Sequence, residues 1–478
     1  MNNDKQIICV DLDGTLIVSD TLWELFLRML KHCPWILIAL PFWLLGGIAN
    51  LKVNLSKRFA KYINKLPFND EFLTYLKEAK ANGDKLYLAT ACEESLAKKI
   101  VEPLDLFDEV FATTPSCNLK SGNKAKALIE KFGDGNFVYA GNDTPDLAIW
   151  KHSKKIIIVN ASKSLIKKAK KQNPNKEVKV FEKKRKKLKV FLKGIRIHQW
   201  SKNALIFAPL FLAHCYTNIN ALYASFIAFL SFSFCASATY ILNDILDVEA
   251  DRAHYHKKSR PIASGALSIP AALFIMFAFF VIAGVSAAIV DLVLLAYLLI
   301  YCAITISYSF VLKRIALVDV LTLSFLYIFR LFYGAQAIST EISFWLVSFS
   351  IFFFLSLGFL KRFVEVFDMD RENTKLQSRG YMKADANSIQ AMGISSGMLS
   401  VLLYIFYVDK GAQELYKNPQ YLMYGSMLLV YFICDIWIAA GRKRVHSDPI
   451  VYAIKNPKSY VIAVIFLILF VLSSPIVG

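Results

Sequence analysis

Gln6-Ile7-Ile8-Cys9-Val10-Asp11-Leu12-Asp13-Gly14-Thr15-Leu16 carries the first apolar run of the chain and ends it on two carboxylates. Residues 6–10 read as a buried strand, and Gly14 marks the tight turn that follows it. Asp11 and Asp13, two apart at the strand end, point to one side. There they can hold Mg²⁺ while one carboxylate attacks phosphorus. Runs of the same kind recur at residues 85–89, 136–139 and 155–159, each closed by a loop of small or polar residues. Helical segments separate them. That alternation predicts a parallel sheet with crossover helices, an α/β domain over residues 1–180.

One segment of that domain is out of character. Residues 33–47 are almost wholly apolar. At about 15 residues the segment is short for a spanning helix, which needs ~20. Two placements stay open: a helix of a cap over the site, or a helix in the membrane interface.

The chain has 478 residues, of which 56% are hydrophobic and 19% charged. This excludes a disordered chain and argues against a wholly soluble one. The net charge is +19. In so apolar a chain that points to a cytoplasmic membrane face before nucleic acid, and no nucleic-acid partner is expected. The eight cysteines are scattered without a CxxC pair, so neither a disulfide framework nor a zinc site is read. The polar first residues lead straight into a strand, so no secretory signal peptide is expected.

Residues 154–202 carry 18 Lys+Arg against 2 Asp+Glu, or +16 of the +19. The end of this stretch, 181–202, reads as a basic juxtamembrane linker lying on anionic headgroups of the lipid bilayer. Apolar stretches follow at 203–215, 219–241, 268–289, 292–311, 316–337, 343–360, 388–408, 421–441 and 459–476, nine spans of an all-α membrane domain over 203–478. Basic residues collect in alternate loops. The positive-inside rule then places the N-terminal domain in the cytoplasm, on a multi-pass bacterial inner-membrane protein.

The DxDGT pattern after a strand resembles the haloacid dehalogenase superfamily of phosphatases, with similarity over about residues 6–160. The resemblance implies a Rossmann-type parallel sheet with a helical cap that excludes water and selects substrate. It implies that Asp11 is the nucleophile and Asp13 the general acid and base, whose backbone carbonyl also helps hold Mg²⁺. Thr90, in Leu88-Ala89-Thr90-Ala91, matches the residue that hydrogen-bonds the phosphoryl group. Lys124 matches the charge-neutralising lysine, with Lys120 as the alternative. The last motif reads Gly141-Asn142-Asp143-Thr144-Pro145-Asp146. Asn142 stands where the family carries an Asp, so the metal ligands are Asp11 and Asp13 with Asn142, Asp143 or Asp146.

A second acidic pattern, Asn243-Asp244-Ile245-Leu246-Asp247-Val248-Glu249-Ala250-Asp251, closes the second span. Asp244, Asp247 and Asp251 fall at i, i+3 and i+7, one face of a helix. Three carboxylates on one face repel unless a cation holds them, which suits Mg²⁺ on a diphosphate. Arg252, Lys257, Lys258 and Arg260 follow, as a substrate with several phosphates would need. This pattern resembles the UbiA-type intramembrane prenyltransferases, over about residues 190–478, which implies nine helices around a cavity. Arg196-Ile197-His198-Gln199-Trp200-Ser201-Lys202-Asn203, Ser307-Tyr308-Ser309, Lys313 and Asp319 resemble the decaprenyl-phosphate phosphoribosyltransferase branch. The loop from Lys361 to Arg371 lacks the second DxxxD of aromatic prenyltransferases and offers Lys361, Arg362 and Arg371 instead, with Arg379 and Tyr381 beyond.

The resemblance thus implies a bifunctional membrane enzyme. Phosphoribosyl pyrophosphate would donate 5-phosphoribose to polyprenyl phosphate, and the phosphatase would remove the 5-phosphate. Asp244, Asp247 and Asp251 would hold Mg²⁺; Lys202, Asn243, Lys257, Arg260, Lys313, Lys361 and Arg362 would bind the substrates. An aromatic prenyltransferase using a prenyl diphosphate is the alternative, and a scaffold without turnover a third reading. A homo-oligomer is compatible with the sequence.

Overall fold

The structure is a computed structural model that describes residues 5–63, 65–113, 119, 121–182, 187–255, 257–367, 379–413, 415–445 and 449–473. Lys120 and Arg371 lie outside the described residues. The chain divides into two compact units. One comprises Met1–Ile195 with Ile241–Ile275, the other Arg196–Tyr240 with Met276–Gly478.

In the first unit six strands form one sheet: β1 (Ile7–Val10), β2 (Lys85–Glu93), β3 (Glu109–Thr113), β4 (Val138–Gly141), β5 (Lys155–Val159) and β6 (Val178–Phe181). Their order is β3-β2-β1-β4-β5-β6, and every pairing is parallel. Strand direction of travel across the sheet reverses at β1, and in such sheets sites form at the carboxyl ends beside that reversal. The sheet is covered on both faces. Ile8, Val10, Ile157 and Val159 enter one apolar cluster, while Cys9, Ile156 and Ile158 enter the other. Alternate residues of one strand thus feed opposite cores, which explains the near-continuous apolar runs in the sequence. Four of these strands were legible as such runs. The edge strands β3 and β6 were not, because Glu109-Val-Phe-Ala-Thr and Val178-Lys-Val-Phe are short and carry charge, as edges do.

The helix Thr21–His32 starts on Asp20, whose carboxylate accepts from the N–H groups of Leu22 and Trp23. Residues 33–47 continue as a 3-10 turn, Pro34–Ala39, and a short helix, Leu40–Leu45, before Gly47–Phe59 returns toward the sheet. These elements form the cap.

Among the described residues, seven helices are long and apolar enough to cross a membrane, or eight if the bent pair Pro449–Lys455 and Pro457–Ser473 counts as one span. The expected nine is therefore not reached. The difference lies at residues 203–215, which fold as a 3-10 segment, Ile197–Phe207, and a five-residue helix, Ala208–Leu212. The buried polar side chains of Lys202 and Asn203 stand at the head of the run, and Pro209 opens the short helix. The last span also differs from a straight 459–476 helix, since its two pieces meet at 79°.

Candidate active sites

β1 delivers Asp11 to the carboxyl edge of the sheet, where its N–H bonds the Ala140 carbonyl at 2.9 Å. Lys124, on the helix Gly122–Phe132, is buried and donates to Asp11 Oδ1 at 2.7 Å. Lys124 also bonds the Tyr139 hydroxyl at 3.1 Å, and that hydroxyl donates to Asp146 Oδ1 at 3.0 Å. The structure thus brings Lys124 to Asp11. Burial pulls Lys124 down, but Asp11 and Asp146 outweigh it and leave its ammonium held above the ordinary range. Thr90 is fully buried in β2 and its hydroxyl accepts from the Cys92 N–H at 3.0 Å. Its own proton remains to be donated, while the adjacent Ala91 lines the cavity.

Asp13 turns its carboxylate onto the start of the cap helix, accepting from Thr21 N–H at 2.7 Å and Thr21 Oγ1 at 3.1 Å. Burial, then Asp20 and Asp11, push its pKa up to about 7, against the lowering pull of the Thr21 N–H. Asp146 is pushed up to about 6, by burial first and Asp11 second. Both Asp146 oxygens are committed. Oδ2 accepts from the N–H groups of Asn142 at 2.9 Å and Asp143 at 3.0 Å, and Oδ1 faces Tyr139. Asp146 therefore braces the loop. Asp143 is exposed and caps Thr144. Asn142 reaches Thr15, accepting from its hydroxyl at 3.2 Å, and packs against Gly14. Gly14 has φ +75°, and a Cβ there would collide with the Asn142 side chain. The turn needs glycine on both counts.

Asp11, Asp13, Gly14, Lys124, Asn142, Asp143 and Asp146 line a cavity of about 410 Å³. Its remaining walls were not anticipated: Trp23 and Lys52 from the cap, and Arg252, Ile262, Leu267, Ile269 and Pro270 from the 241–275 segment of the same unit. Arg252 fixes that wall. Its guanidinium grips Glu24 at 2.7 and 3.0 Å and the carbonyls of Lys65 and Ala263 at 3.1 and 3.0 Å. Burial raises Glu24, but Arg252 and Arg28 more than reverse it and hold the carboxylate ionised. Long-range pairing of this kind leaves no trace in local sequence.

The second acidic pattern is not one continuous helix. Ile219–Leu246 ends, Asp247 takes the N-cap position, and Val248–Ala253 follows. Asp244 and Asp251 are nonetheless brought together, because Arg260 Nη1 bonds Asp244 Oδ1 at 3.0 Å and Asp251 Oδ2 at 2.7 Å. Asp251 is raised by burial, an effect that Arg260 opposes. Asp247 and Asn243 are half-buried beside them, and Lys257 is exposed.

The second unit gathers a separate polar cluster. Arg362 is fully buried, with Nε 2.7 Å from Asp319 Oδ2 in an ionic contact and Nη1 bonded to Glu365. Arg362 and Arg379 both donate to the Tyr308 hydroxyl, at 3.2 and 2.7 Å, and Tyr381 donates to Asp319 Oδ1 at 2.8 Å. Arg362, expected to bind substrate, is buried among these partners. Lys361 and Lys313 are half-buried. Elsewhere in this unit the buried Lys202 lies over the Tyr327 ring at 5.9 Å, and Asn203 accepts from Arg330 Nε at 2.8 Å. Arg330 was missed. The signal was present, since an ionisable residue within a span is a functional candidate by default.

The model of the UbiA prenyltransferase family matches residues 204–472. The chain belongs to the UbiA prenyltransferase family. This UbiA protein carries at its N-terminus a haloacid dehalogenase-like hydrolase domain, whose family model matches residues 8–131. The uncharacterized protein y4nM of Sinorhizobium fredii is 34% identical over 473 residues, 98% of this chain and 90% of its own. The decaprenyl-phosphate phosphoribosyltransferase of Corynebacterium glutamicum is 32% identical over 256 residues, 52% of this chain and 76% of its own. A solved structure of digeranylgeranylglyceryl phosphate synthase is similar at 16% identity, covering 60% of this chain and 99% of that one with a TM-score of 0.45.

Proteins of both families are typically Mg²⁺-dependent. The donors here suit that ion in kind. Asp11 and Asn142 offer hard oxygen ligands at the cavity, where a Mg²⁺ keeps several waters and a substrate phosphate. No group of three or more His, Cys, Asp or Glu side chains is set to hold a metal among the described residues. At the first site Asp13 and Asp146 are engaged in hydrogen bonds. At the second, the buried Asp244 and Asp251 demand positive charge, and Arg260 supplies it.

Proposed function

We propose that this UbiA protein transfers 5-phosphoribose from phosphoribosyl pyrophosphate to a polyprenyl phosphate, and that its hydrolase domain then removes the 5-phosphate. The observation that carries the transferase half is the similarity to the Corynebacterium glutamicum enzyme over 76% of that protein. In this reading Asp244, Asp247 and Asp251 would hold a Mg²⁺ that offsets the charge of the leaving pyrophosphate once Arg260 turns from Asp244 and Asp251 to a phosphate, and Lys202, Asn243, Lys257, Lys313 and Lys361 would contact phosphates with it. The lipid phosphate is already an anion, so attack on the anomeric carbon needs orientation and charge neutralisation more than a base. The N-terminal domain is cytoplasmic, where phosphoribosyl pyrophosphate is made.

In the hydrolase domain Asp11 attacks phosphorus while Lys124 steadies its carboxylate and offsets the charge of the phosphoryl group. Asp13, held near neutral pKa by burial and Asp20, gives its proton to the leaving oxygen. It then takes one from the water that hydrolyses the aspartyl phosphate. Thr90 donates to a phosphoryl oxygen; Asp11, the Asp13 carbonyl and Asn142 would hold a Mg²⁺, which would supply further charge neutralisation. Ile262, Leu267, Ile269 and Pro270 add apolar lining to the cavity. A phosphate ester with an apolar remainder suits such a pocket.

The test is a mass spectrum of lipids made by the purified protein from polyprenyl phosphate, phosphoribosyl pyrophosphate and Mg²⁺. The parent is expected to yield polyprenyl phosphoribose, Asp11→Asn to accumulate its 5-phosphate, and Asp247→Ala to yield neither. Absence of any ribosylated lipid would overturn the donor and leave prenyl diphosphates with aromatic acceptors to be tried.

A further inference from the structure

The apolar segment of the cap has two faces, and both are apolar. Ile36, Leu40 and Trp43 pack against the core of the domain. Trp35, Ile38, Phe42 and Leu45 point the other way, exposed by 79, 76, 68 and 85%. Trp35 and Ile38 lie on the 3-10 turn Pro34–Ala39, and Phe42 and Leu45 on the helix Leu40–Leu45, each pair three residues apart and so on one side of its element. A cap that met only water would carry polar residues there. The helix Trp35–Leu45 is also too short to cross a membrane, since its 11 residues reach only ~17 Å against a hydrocarbon core of ~30 Å.

Charge around the segment is one-sided. Residues 25–69 contain seven Lys or Arg and no Asp or Glu. Arg58 stacks on the Trp43 ring at 4.7 Å, Lys61 on Tyr62 at 5.0 Å, and Lys57 and Lys61 stand exposed on the return. An apolar face with a Trp, flanked by Lys57, Arg58 and Lys61 exposed on one side and by Arg28 and Lys31 paired with Glu249 on the other, has the chemistry of an anionic bilayer surface. A second protein copy with the same cationic rim would be repelled, which argues against self-association. The chain already carries membrane-spanning helices, so a bilayer is always within its reach.

The segment also leads into the hydrolase site. Thr21–His32, whose first residue binds Asp13, runs directly into it, and Gly47–Phe59 returns from it carrying Lys52, which lines the cavity. The 12 residues of Thr21–His32 put the apolar face ~18 Å from the carboxylates.

We infer that residues 35–45 are an interfacial anchor that inserts Trp35, Ile38, Phe42 and Leu45 among anionic lipids, and that it presents the hydrolase cavity to phosphate esters carried by lipids. The second half rests on the hydrolase reading above; the insertion does not.

The test uses the full chain in vesicles of phosphatidylcholine with phosphatidylglycerol. An environment-sensitive fluorophore is placed on Ile38→Cys or, as a reference, on Lys98→Cys, an exposed position on another helix. The signal of the unsubstituted chain, labelled in parallel, is subtracted. The Ile38 label is expected to be quenched by nitroxide-bearing lipid and shielded from aqueous iodide, and the Lys98 label to show the reverse. Iodide access at Ile38 equal to that at Lys98 would overturn the insertion. So would protection accompanied by chain-to-chain crosslinking in place of lipid quenching. In a second arm, Trp35→Glu with Phe42→Glu should leave p-nitrophenyl phosphate hydrolysis unchanged and slow hydrolysis of a vesicle-borne polyprenyl phosphoribose 5-phosphate by ~10-fold. Equal loss on both substrates, or on neither, would overturn the delivery role. If the parent hydrolyses only the soluble ester, the hydrolase reading fails while the quenching result still decides the insertion.

Discussion

Under the proposed function Asp13 protonates a leaving alkoxide and so needs a proton at neutral pH, which its surroundings favour. Burial and the neighbouring Asp20 and Asp11 carry it up to about 7. The sign of the resulting pH dependence follows. Below about 7 the acid is protonated and can donate; above that value the proton is lost and the step it serves slows. Alkyl phosphate hydrolysis should therefore fall as pH rises through about 7. Asp13→Asn should lower it by ~100-fold or more and remove that limb. With p-nitrophenyl phosphate, whose leaving group needs no proton, formation of the phosphoenzyme should not show the fall. Single-turnover rates on the two esters across pH check this. A limb identical for both esters would assign it to another group. Much of this site was legible at the residue scale, because Asp11, Asp13 and Gly14 are neighbours in the chain and the turn that joins them is local. The brace formed by Asp146 and Tyr139 was not, since Asp146 is identical in sequence whether it holds a metal or a loop.

Among the helices, packing decides what hydropathy leaves open. The helix Val318–Ala337 meets the 3-10 segment Ile197–Phe207 at Gly334, where an added Cβ would overlap the Ile206 carbonyl oxygen. The obstacle is backbone, with no flexible side chain to yield. The same pair of elements is tied by Arg330 to Asn203, and Asn203 in turn to Ser233 at 3.0 Å. Gly334→Ala should therefore separate the two elements and destabilise the protein by ~1–3 kcal/mol. Thermal unfolding in detergent should show a lowered midpoint, and transferase activity should fall with it because Lys202 rides on the displaced segment. Unchanged stability and activity would mean that the segment shifts freely. The span count shows why sequence falls short at this scale. Residues 203–215 are apolar enough to pass for a membrane helix, yet Pro209 and the buried Lys202 and Asn203 favour a 3-10 path whose polar groups find partners within the unit. The break at Asp247 is the same lesson in reverse, since the i, i+3, i+7 spacing assumed a helix that stops one residue too soon.

For the molecule as a whole, the change of composition near residue 200 was enough to separate an α/β domain from a membrane domain. It did not show that residues 241–275 belong with the N-terminal unit, because contacts such as Arg252 to Glu24 join positions 228 apart. Under the proposed function, one chain carrying both chemistries has a kinetic consequence. The lipid product of the first step stays in the membrane plane, where a tethered second site meets it at a raised effective concentration. Asp11→Asn retains the transferase and Asp247→Ala retains the hydrolase, so a mixture of the two variants holds one full set of sites on separate chains. Diluted in excess lipid, the mixture should release polyprenyl phosphoribose with a longer lag than the parent at equal site density. The lag should shorten as protein per vesicle rises, since separate chains must then meet the same lipid by lateral diffusion. Parent protein, with both sites on each chain, should show little dependence on density. Time courses of the phosphorylated and dephosphorylated lipids in the two preparations decide the matter. Equal lags at every density would show that the intermediate equilibrates through the bilayer before hydrolysis, and that the fusion confers no kinetic coupling.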